Sequence, residues 1–173
     1  MALHNKIYLI GFMGSGKSTA GKKLAAIMGW SFIDLDRKVE EHAGQTIPQI
    51  FSEHGENYFR KLEILVLRDL CTVKNAVIST GGGVPCHSDN MSFMKETGLT
   101  VYLRLTPAQL QNRLSESKTE RPLIRGLKNE DLLTFIEDRL LQREPFYSQA
   151  AITIDGFSID YKSLMELISE RIE

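Results

Sequence analysis

The sequence has little cysteine, with only Cys71 and Cys86 among its 173 residues. Two cysteines are too few for a disulfide framework, and their spacing is not the C-x-x-C of metal or redox motifs. The four histidines likewise show no metal-ligand spacing. Because this cysteine usage is typical of reduced thiols, we expect a cytoplasmic protein.

Long hydrophobic runs and an excess of charge of one sign are also absent. No stretch approaches the ~20 apolar residues of a membrane span, and the apolar run near the start is too short for a signal peptide. The formal net charge is −1, so bulk electrostatics favour neither nucleic acid nor an anionic membrane as a partner. No long exposed apolar stripe requires a protein partner, and we expect a monomer.

Short apolar segments alternate with amphipathic ones along the chain, without an internal repeat. The former predict five strands, at 6–10, 31–36, 76–80, 99–105 and 150–154. The latter predict helices at 18–28, 37–42, 47–55, 56–73, 88–96, 107–115, 130–147 and 162–172, with a surface loop over 117–129. This alternation implies an α/β fold, in which helices cover both faces of a parallel sheet and ligands bind at the carboxyl ends of the strands.

The first predicted strand runs into GFMGSGKST, residues 11–19. Its glycines, followed by Lys17 and Ser18, match the P-loop pattern G-x-x-x-x-G-K-S. In that motif, backbone N–H groups and a helix N-terminus bind phosphates, the lysine reaches the β- and γ-phosphates, and the hydroxyl ligates Mg²⁺. A glycine-rich turn is the alternative, but the position between a strand and a helix favours a nucleoside triphosphate site.

Two carboxylates follow in FIDLDRK, where Asp34 and Asp36 are two residues apart. On an extended strand both would project from one face, while Ile33 and Leu35 would point into the packing. Beside a nucleotide, one carboxylate would hold Mg²⁺ and the other would orient or deprotonate an acceptor hydroxyl. The alternative is a polar strand end in which Asp36 caps the next helix, starting at Arg37.

The third strand ends in STGGGVP, with three consecutive glycines at 81–83. Taken alone they favour an ordinary turn, but a turn needs only one or two, so the third suggests a ligand packed on the main chain. The strand itself, AVIST, has no acidic residue where many P-loop enzymes have a magnesium-binding aspartate. Asp34 is therefore the candidate for that role.

Three arginines are notable for their positions. Arg60 lies in the first turn of a helix, where a cation is unfavourable. Arg121 lies in the 117–129 loop, and Arg143 precedes Pro145, which we expect to break or kink its helix. A guanidinium can bind a carboxylate or a phosphate through two parallel hydrogen bonds. Each arginine is alternatively a solvated surface charge.

Together these segments resemble the shikimate kinase family over nearly the whole chain. The resemblance rests on GFMGSGKST, FIDLD, IFSEHGENYFRKLE, STGGGV, RPLI and REPFY, in that order. It implies phosphorylation of the 3-hydroxyl of shikimate by ATP, a step in chorismate and aromatic amino-acid biosynthesis. It also implies a three-layer α/β/α P-loop kinase fold, a single domain over 1–173, with a five-stranded parallel sheet in the order 2-3-1-4-5 and a mobile lid.

The resemblance also implies roles for individual positions. The site would combine the P-loop at 11–18, a shikimate-binding helical region at about 36–62 and a lid at about 115–127. The residues holding ATP would be Gly14, Ser15, Gly16, Lys17, Ser18 and Thr19, with Arg113 stacked on adenine and Arg121 reaching the phosphates from the lid. Mg²⁺ would be held by Ser18 and, through water, by Asp34. Shikimate would be bound by Asp36, Arg60, Gly81, Gly82, Gly83 and Arg143, with Glu63 orienting Arg60. The catalytic set would be Lys17, Asp36 and Arg121, with Asp36 as the base or orienting group.

Two other functions remain open from the sequence. A related small-molecule kinase, such as a gluconate kinase, would share the P-loop and the acidic second strand but would not need two arginines beside three glycines. A non-catalytic, nucleotide-dependent regulator would have lost part of the phosphoryl-transfer set, yet Lys17, Ser18, Asp36 and Arg121 are all present. The adenine loop of the family often contains proline and TIDGFSID has none, so contacts near Asp155 are not assigned.

Overall fold

A computed structural model describes residues 5–172, so that the ends of the predicted 1–173 domain, residues 1–4 and 173, lie outside the described residues. Its strands are β1 (Lys6–Ile10), β2 (Ser31–Asp34), β3 (Ala76–Ser79), β4 (Leu99–Arg104) and β5 (Ile152–Asp155). All neighbouring strands pair in parallel, in the order β2-β3-β1-β4-β5. The predicted sheet and its strand order are confirmed.

The helices alternate with these strands. They are α1 (Lys17–Met28), α2 (Leu35–Ala43), α3 (Ile47–His54), α4 (Glu56–Asp69), α5 (Asn90–Thr97), α6 (Pro107–Glu116), α7 (Asn129–Tyr147) and α8 (Tyr161–Ile172). Short 3₁₀ turns lie at Leu70–Thr72, Val84–Cys86 and Pro122–Ile124. None of the helices within 5–172 has both the length and the apolar character needed to cross a membrane.

Both faces of the sheet are buried. Tyr8 and Ile10 of β1 belong to a core on one face, which α2, α3, α4, α5 and the end of α7 complete. Ile7 and Leu9, alternating with them, belong to a second core that α1 and α8 cover. Since successive strand side chains point to opposite faces, this division is what a parallel sheet between two helix layers requires.

A third, smaller core lies beyond the carboxyl edge of the sheet. It joins the P-loop to α6 and α7 through Phe12, Leu105, Leu110, Leu114, Leu132 and Ile136. Ile124 and Leu127, from the segment between these two helices, pack against it. The 117–129 loop is thereby attached to the body of the protein by apolar contacts.

Two local predictions are wrong. The second strand ends at Asp34 instead of continuing to residue 36, and α2 begins at Leu35. Helix α7 continues through Pro145 to Tyr147, the predicted end of this helix, so Pro145 does not break it. Because Pro145 lies in the last turn, its missing N–H removes only one bond near the end of the helix.

Candidate active site

The P-loop connects β1 to α1 at the carboxyl edge of the sheet. Gly11, Gly14 and Gly16 have φ values of 148°, 77° and 89°, a region in which other residues are strained. Gly16 is the N-cap of α1 and has no side chain to accept the first N–H groups of the helix. Those donors, together with the positive end of the helix dipole, favour an anion at this point.

Lys17 lies folded back over the loop. Its Nζ donates to the carbonyl oxygens of Gly11 at 2.9 Å and Phe12 at 2.8 Å. The side chain is buried, and burial lowers the pKa of its ammonium group to about 7, an effect that the Asp36 carboxylate opposes. A bound phosphate would supply the charge that this site lacks and would favour the ammonium form.

A cluster of oxygen atoms adjoins the P-loop. Ser18 Oγ donates to Asp34 Oδ2 at 2.9 Å and lies 3.4 Å from Ser79 Oγ, at the end of β3. Hydroxyl and carboxylate oxygens are the protein ligands that Mg²⁺ prefers, completed by water and phosphate. Within 5–172 no group of three or more His, Cys, Asp or Glu side chains is placed to hold a metal ion.

We expected Asp34 and Asp36 to lie on one strand, but they do not. Asp34 ends β2 and caps α2, its Oδ1 accepting from the backbone N–H groups of Asp36 at 3.0 Å and Arg37 at 3.3 Å. Asp36 lies in the first turn of α2, so the alternative in which Asp36 is the cap is also wrong. Burial raises the pKa of Asp36, and the neighbouring Asp34 carboxylate raises it further.

Two cavities meet at these carboxylates. The first, about 320 Å³, extends along the P-loop and is lined by Gly14, Gly16, Lys17, Ser18, Thr19, Ser79, Thr80, Arg113 and Ser117. The second, about 480 Å³, lies between α2, α3, α4 and the 117–129 loop, with walls that include Ile47, Pro48, Phe51, Phe59, Arg60, Glu63, Gly83, Leu123 and Arg143. Asp34, Asp36, Gly81, Gly82 and Arg121 line both. Two ligands would therefore meet beside Asp36 and Arg121.

Arg60 is fixed in the wall of the larger cavity. Its Nη1 donates to Glu63 Oε2 at 2.7 Å, and its Nη2 donates to Glu56 Oε1 at 3.1 Å. The predicted i, i+3 pair with Glu63 is confirmed. Glu63 is only 1% exposed, and burial raises its pKa against the opposing effect of Arg60. The pair keeps the guanidinium in one orientation at the cavity.

Two guanidinium groups of the site have buried nitrogens without a partner. Arg143 is 5% exposed, and its Nη1 has no hydrogen-bond acceptor among the described residues. Arg121 Nε is also buried and has no hydrogen-bond acceptor among residues 5–172. An unpaired buried charged donor is costly, and native structures normally satisfy it with protein, water or a ligand. Both groups line the larger cavity, so an anionic ligand there would supply the missing acceptors.

The triple glycine is explained by close approach of side chains. A Cβ on Gly83 would lie 2.5 Å from Arg60 Nη1, and one on Gly81 would lie 2.8 Å from Glu63 Oε1. A Cβ on Gly82 would lie 3.2 Å from Arg143 Nη1. None of the three glycines has a positive φ, so it is this packing, not the geometry of an ordinary turn, that excludes larger residues.

Arg113 lies at the far end of the smaller cavity. Its Nη1 is 2.9 Å from where a Cβ on Gly16 would be, and its Nη2 donates to the Gly156 carbonyl at 3.4 Å. The ring of Phe157, a largely exposed side chain, is centred 5.8 Å from its guanidinium. The side chain thus spans from the P-loop to the turn after β5.

Sequence reasoning missed several residues of these cavities. Ser79 and Thr80 were not selected, although they end a buried strand at the edge where ligands bind. The apolar wall formed by Ile47, Pro48, Phe51 and Phe59 was also missed. Its side chains resemble ordinary core residues in the sequence, and only the fold brings them to a cavity.

Most of the chain is similar in sequence to proteins of one known family. A family model described as "Shikimate kinase" matches residues 13–173. A shikimate kinase of Parabacteroides distasonis is 45% identical over 151 residues, which is 87% of each chain. The chain belongs to the shikimate kinase family.

Solved structures of the family agree. A crystal structure of shikimate kinase from Bacteroides thetaiotaomicron aligns with a TM-score of 0.85 and 40% identity, covering 95% of this chain and 94% of that one. Shikimate kinase from Acinetobacter baumannii in complex with shikimate aligns at 0.86 and 34% identity, covering 98% and 96%. The predicted family, its P-loop kinase fold and its class of ATP-dependent kinase are confirmed.

Proposed function

We propose that this protein transfers the γ-phosphoryl group of ATP to the 3-hydroxyl of shikimate, giving shikimate 3-phosphate and ADP. The observation that carries the proposal is the pair of cavities that share Asp36 and Arg121. One has the features of a phosphate site, and the other has buried arginines and an apolar wall that suit a small cyclic carboxylate. The Acinetobacter relative, solved with shikimate, supports this choice of acceptor.

On the donor side, the P-loop residues Gly14, Ser15, Gly16, Lys17, Ser18 and Thr19 hold the phosphates of ATP. Ser18 and, through water, Asp34 would hold Mg²⁺, which would neutralise charge on the phosphates of ATP. Their oxygen atoms, 2.9 Å apart, support this assignment. Arg113 stacks on the adenine, next to the P-loop.

On the acceptor side, Arg60 and Arg143 bind the shikimate carboxylate, and Gly81, Gly82 and Gly83 lie against the ring. Asp36 accepts a hydrogen bond from the 3-hydroxyl and orients its oxygen for in-line attack. The raised pKa of Asp36 suits a group that takes the proton as the bond to phosphorus forms. Arg60 and the unpaired Nη1 of Arg143 are the donors that a carboxylate needs.

The remaining assignments concern the whole chain. The protein acts as one domain and one monomer in the cytoplasm, with a shikimate-binding region at about 36–62 and a lid at about 115–127. Arg121 belongs to the lid and contacts the phosphates of ATP, excluding water when the lid closes. Burial lowers the pKa of Arg121 while Asp36 opposes that effect, consistent with a position where both cavities meet.

The experiment is ADP release from Mg·ATP by the purified protein, with shikimate, gluconate and a nucleoside monophosphate offered separately. We expect release that depends on shikimate alone. Release with gluconate would support kinase activity but contradict shikimate as the acceptor. Binding of ATP without release for any acceptor would favour the nucleotide-dependent regulator.

A further inference from the structure

A tyrosine behind the active site holds the glycine loop, defined here as residues 81–84. Tyr147 is fully buried and lies one turn beyond Arg143 on α7. Its hydroxyl donates a hydrogen bond to the Gly82 carbonyl, 65 positions away in the sequence. The backbone that approaches the acceptor cavity is therefore bonded to the same helix that carries Arg143.

Each backbone carbonyl of the glycine loop accepts a hydrogen bond. Those of Gly81 and Gly83 accept from the backbone N–H groups of Val84 at 3.1 Å and Cys86 at 3.0 Å. The Gly82 carbonyl accepts from Tyr147, and the Val84 carbonyl accepts from Asn90 Nδ2 at 2.9 Å. The His87 N–H also donates to the Val84 carbonyl, at 3.4 Å, so the short 3₁₀ turn leaves only the Gly82 carbonyl of this loop to a side chain, and Asn90 adds a second donor at Val84.

Asn90 is itself fixed. It is fully buried, and its Oδ1 accepts from Arg68 Nη1 at 3.1 Å. Because a buried amide with both ends bonded has one preferred orientation, Asn90 constrains the Val84 carbonyl as firmly as Tyr147 constrains the Gly82 carbonyl. The loop is held on both sides of Gly83.

We propose that Tyr147, assisted by Asn90, is a positioning residue for the acceptor: it sets the glycine loop where Arg60, Glu63 and Arg143 pack against it. The inference rests on the proposed function. A Cβ would lie 2.5 Å from Arg60 at Gly83, 2.8 Å from Glu63 at Gly81 and 3.2 Å from Arg143 at Gly82, so the loop and these side chains are in close contact. A shift of the loop by a few tenths of an ångström therefore displaces the groups that bind shikimate.

We expect the effect to be larger at the acceptor because the P-loop, although Gly82 packs against the backbone of Met13 and Gly11, has hydrogen bonds of its own. Lys17 Nζ bonds the Gly11 and Phe12 carbonyls, and the Ser15 N–H donates to the Phe12 carbonyl at 3.1 Å. None of these bonds involves the glycine loop. Loss of the Tyr147 hydroxyl leaves these P-loop bonds in place.

The test compares Tyr147→Phe with Tyr102→Phe. The two rings pack together with centroids 5.0 Å apart, but the Tyr102 hydroxyl donates to Glu144 Oε2 and not to the loop. We expect Tyr147→Phe to raise KM for shikimate roughly five- to tenfold, as for a buried carbonyl left without its donor, with KM for ATP unchanged within about twofold. Tyr102→Phe should lower Tm to a similar extent but leave both KM values unchanged.

A second variant, Asn90→Ser, removes the other restraint and should give the same selective rise. If circular dichroism shows that Tyr147→Phe does not fold, Asn90→Ser tests the inference by the same comparison of KM for shikimate with KM for ATP. Equal rises in both KM values, or no rise for shikimate, would overturn the inference while the wild-type enzyme stays active. A wild type without activity on shikimate would instead contradict the proposed function, before any variant is compared.

Discussion

At the scale of single residues, the site depends on charged groups that are buried before any ligand arrives. Lys17 is 8% exposed and Arg143 is 5% exposed, and the Asp36 carboxylate opposes the lowering of the Lys17 pKa that burial causes. Burying a charge is costly unless it is paired, so each of these groups gains from the phosphates or the carboxylate that the proposal assigns to it. The consequences can be measured one residue at a time.

The carboxylate of Asp36 is the first of these groups. If it orients or deprotonates the acceptor hydroxyl, Asp36→Asn should reduce kcat by ~10²–10⁴-fold while the affinity for ATP is retained. Steady-state kinetics with a parallel nucleotide-binding titration measures both. The matched control is Asp138→Asn, an exposed position on α7, which should not change kcat. Near-normal turnover in Asp36→Asn would remove this residue from the mechanism.

The ammonium group of Lys17 gives a prediction about pH. In the free protein its pKa is about 7, so at pH 8 it is mostly neutral. Bound phosphates favour the charged form and raise this pKa, so ADP binding at pH 8 should take up about one proton, and affinity should fall as pH rises above about 7. Calorimetry in two buffers of different ionisation enthalpy measures the uptake.

Two variants serve as controls for this uptake. Lys17→Arg, whose guanidinium stays charged, should abolish it. Lys23→Met, on the exposed side of α1, should keep it. A wild-type protein that binds ADP without taking up a proton would contradict the assignment.

At the scale of elements, the segment between α6 and α7 has two parts with different contacts. Thr119 to Leu123 line the acceptor cavity, whereas Ile124 and Leu127 pack on the small core around Phe12. Such a division suits a lid that pivots on an apolar anchor, with Arg121 at its inner surface. The proposal of a lid is therefore tested at Arg121.

Arg121→Ala should lower kcat more than it raises KM for shikimate, because the side chain is assigned to the phosphates at closure and not to the acceptor. The same loop offers a control in Arg125, which is 79% exposed in its side chain and lies near Glu120. Arg125→Ala should change neither parameter. A result in which Arg121→Ala mainly raises KM for shikimate would move this residue to the acceptor site.

The element boundaries also show what the sequence can and cannot predict. The run Ile33 to Asp36 alternates apolar and polar residues, which predicts a strand, yet Leu35 is fully buried as the first residue of α2. The structure starts the helix at Leu35, with Asp34 as its cap. The cap at Thr46, by contrast, was predictable, since a hydroxyl followed by Gln49 forms a local capping box that needs no distant contact.

At the scale of the whole molecule, the parallel sheet explains why the candidate site was largely predictable. Segments that follow β1, β2 and β3 come together at one edge, because parallel strands all end there. The contacts between them were not predictable: the bond from Tyr147 to Gly82 joins residues 65 positions apart. No local pattern encodes such a pair, which depends on where α7 packs.

The surface of the molecule leads to a prediction about assembly. The large apolar side chains exposed within 5–172 are Ile27 on α1, Tyr58 and Leu65 on α4, Leu141 on α7 and Phe157 in the turn after β5. Single exposed apolar residues are ordinary for a monomer, whereas an obligate dimer buries a contiguous patch. Light scattering after size exclusion should give 19.6 kDa at all concentrations. A mass twice that value, persisting on dilution, would contradict the monomer.

The central claim is that shikimate is the acceptor and that its 3-hydroxyl receives the phosphoryl group. The most direct measurement is proton–phosphorus correlation NMR of the product formed from Mg·ATP and shikimate by the wild-type protein. We predict one new phosphate ester, correlated with the proton on carbon 3 of the shikimate ring and formed in equal amount to ADP. An ester at another hydroxyl, or ATP consumed without any shikimate ester, would contradict the account.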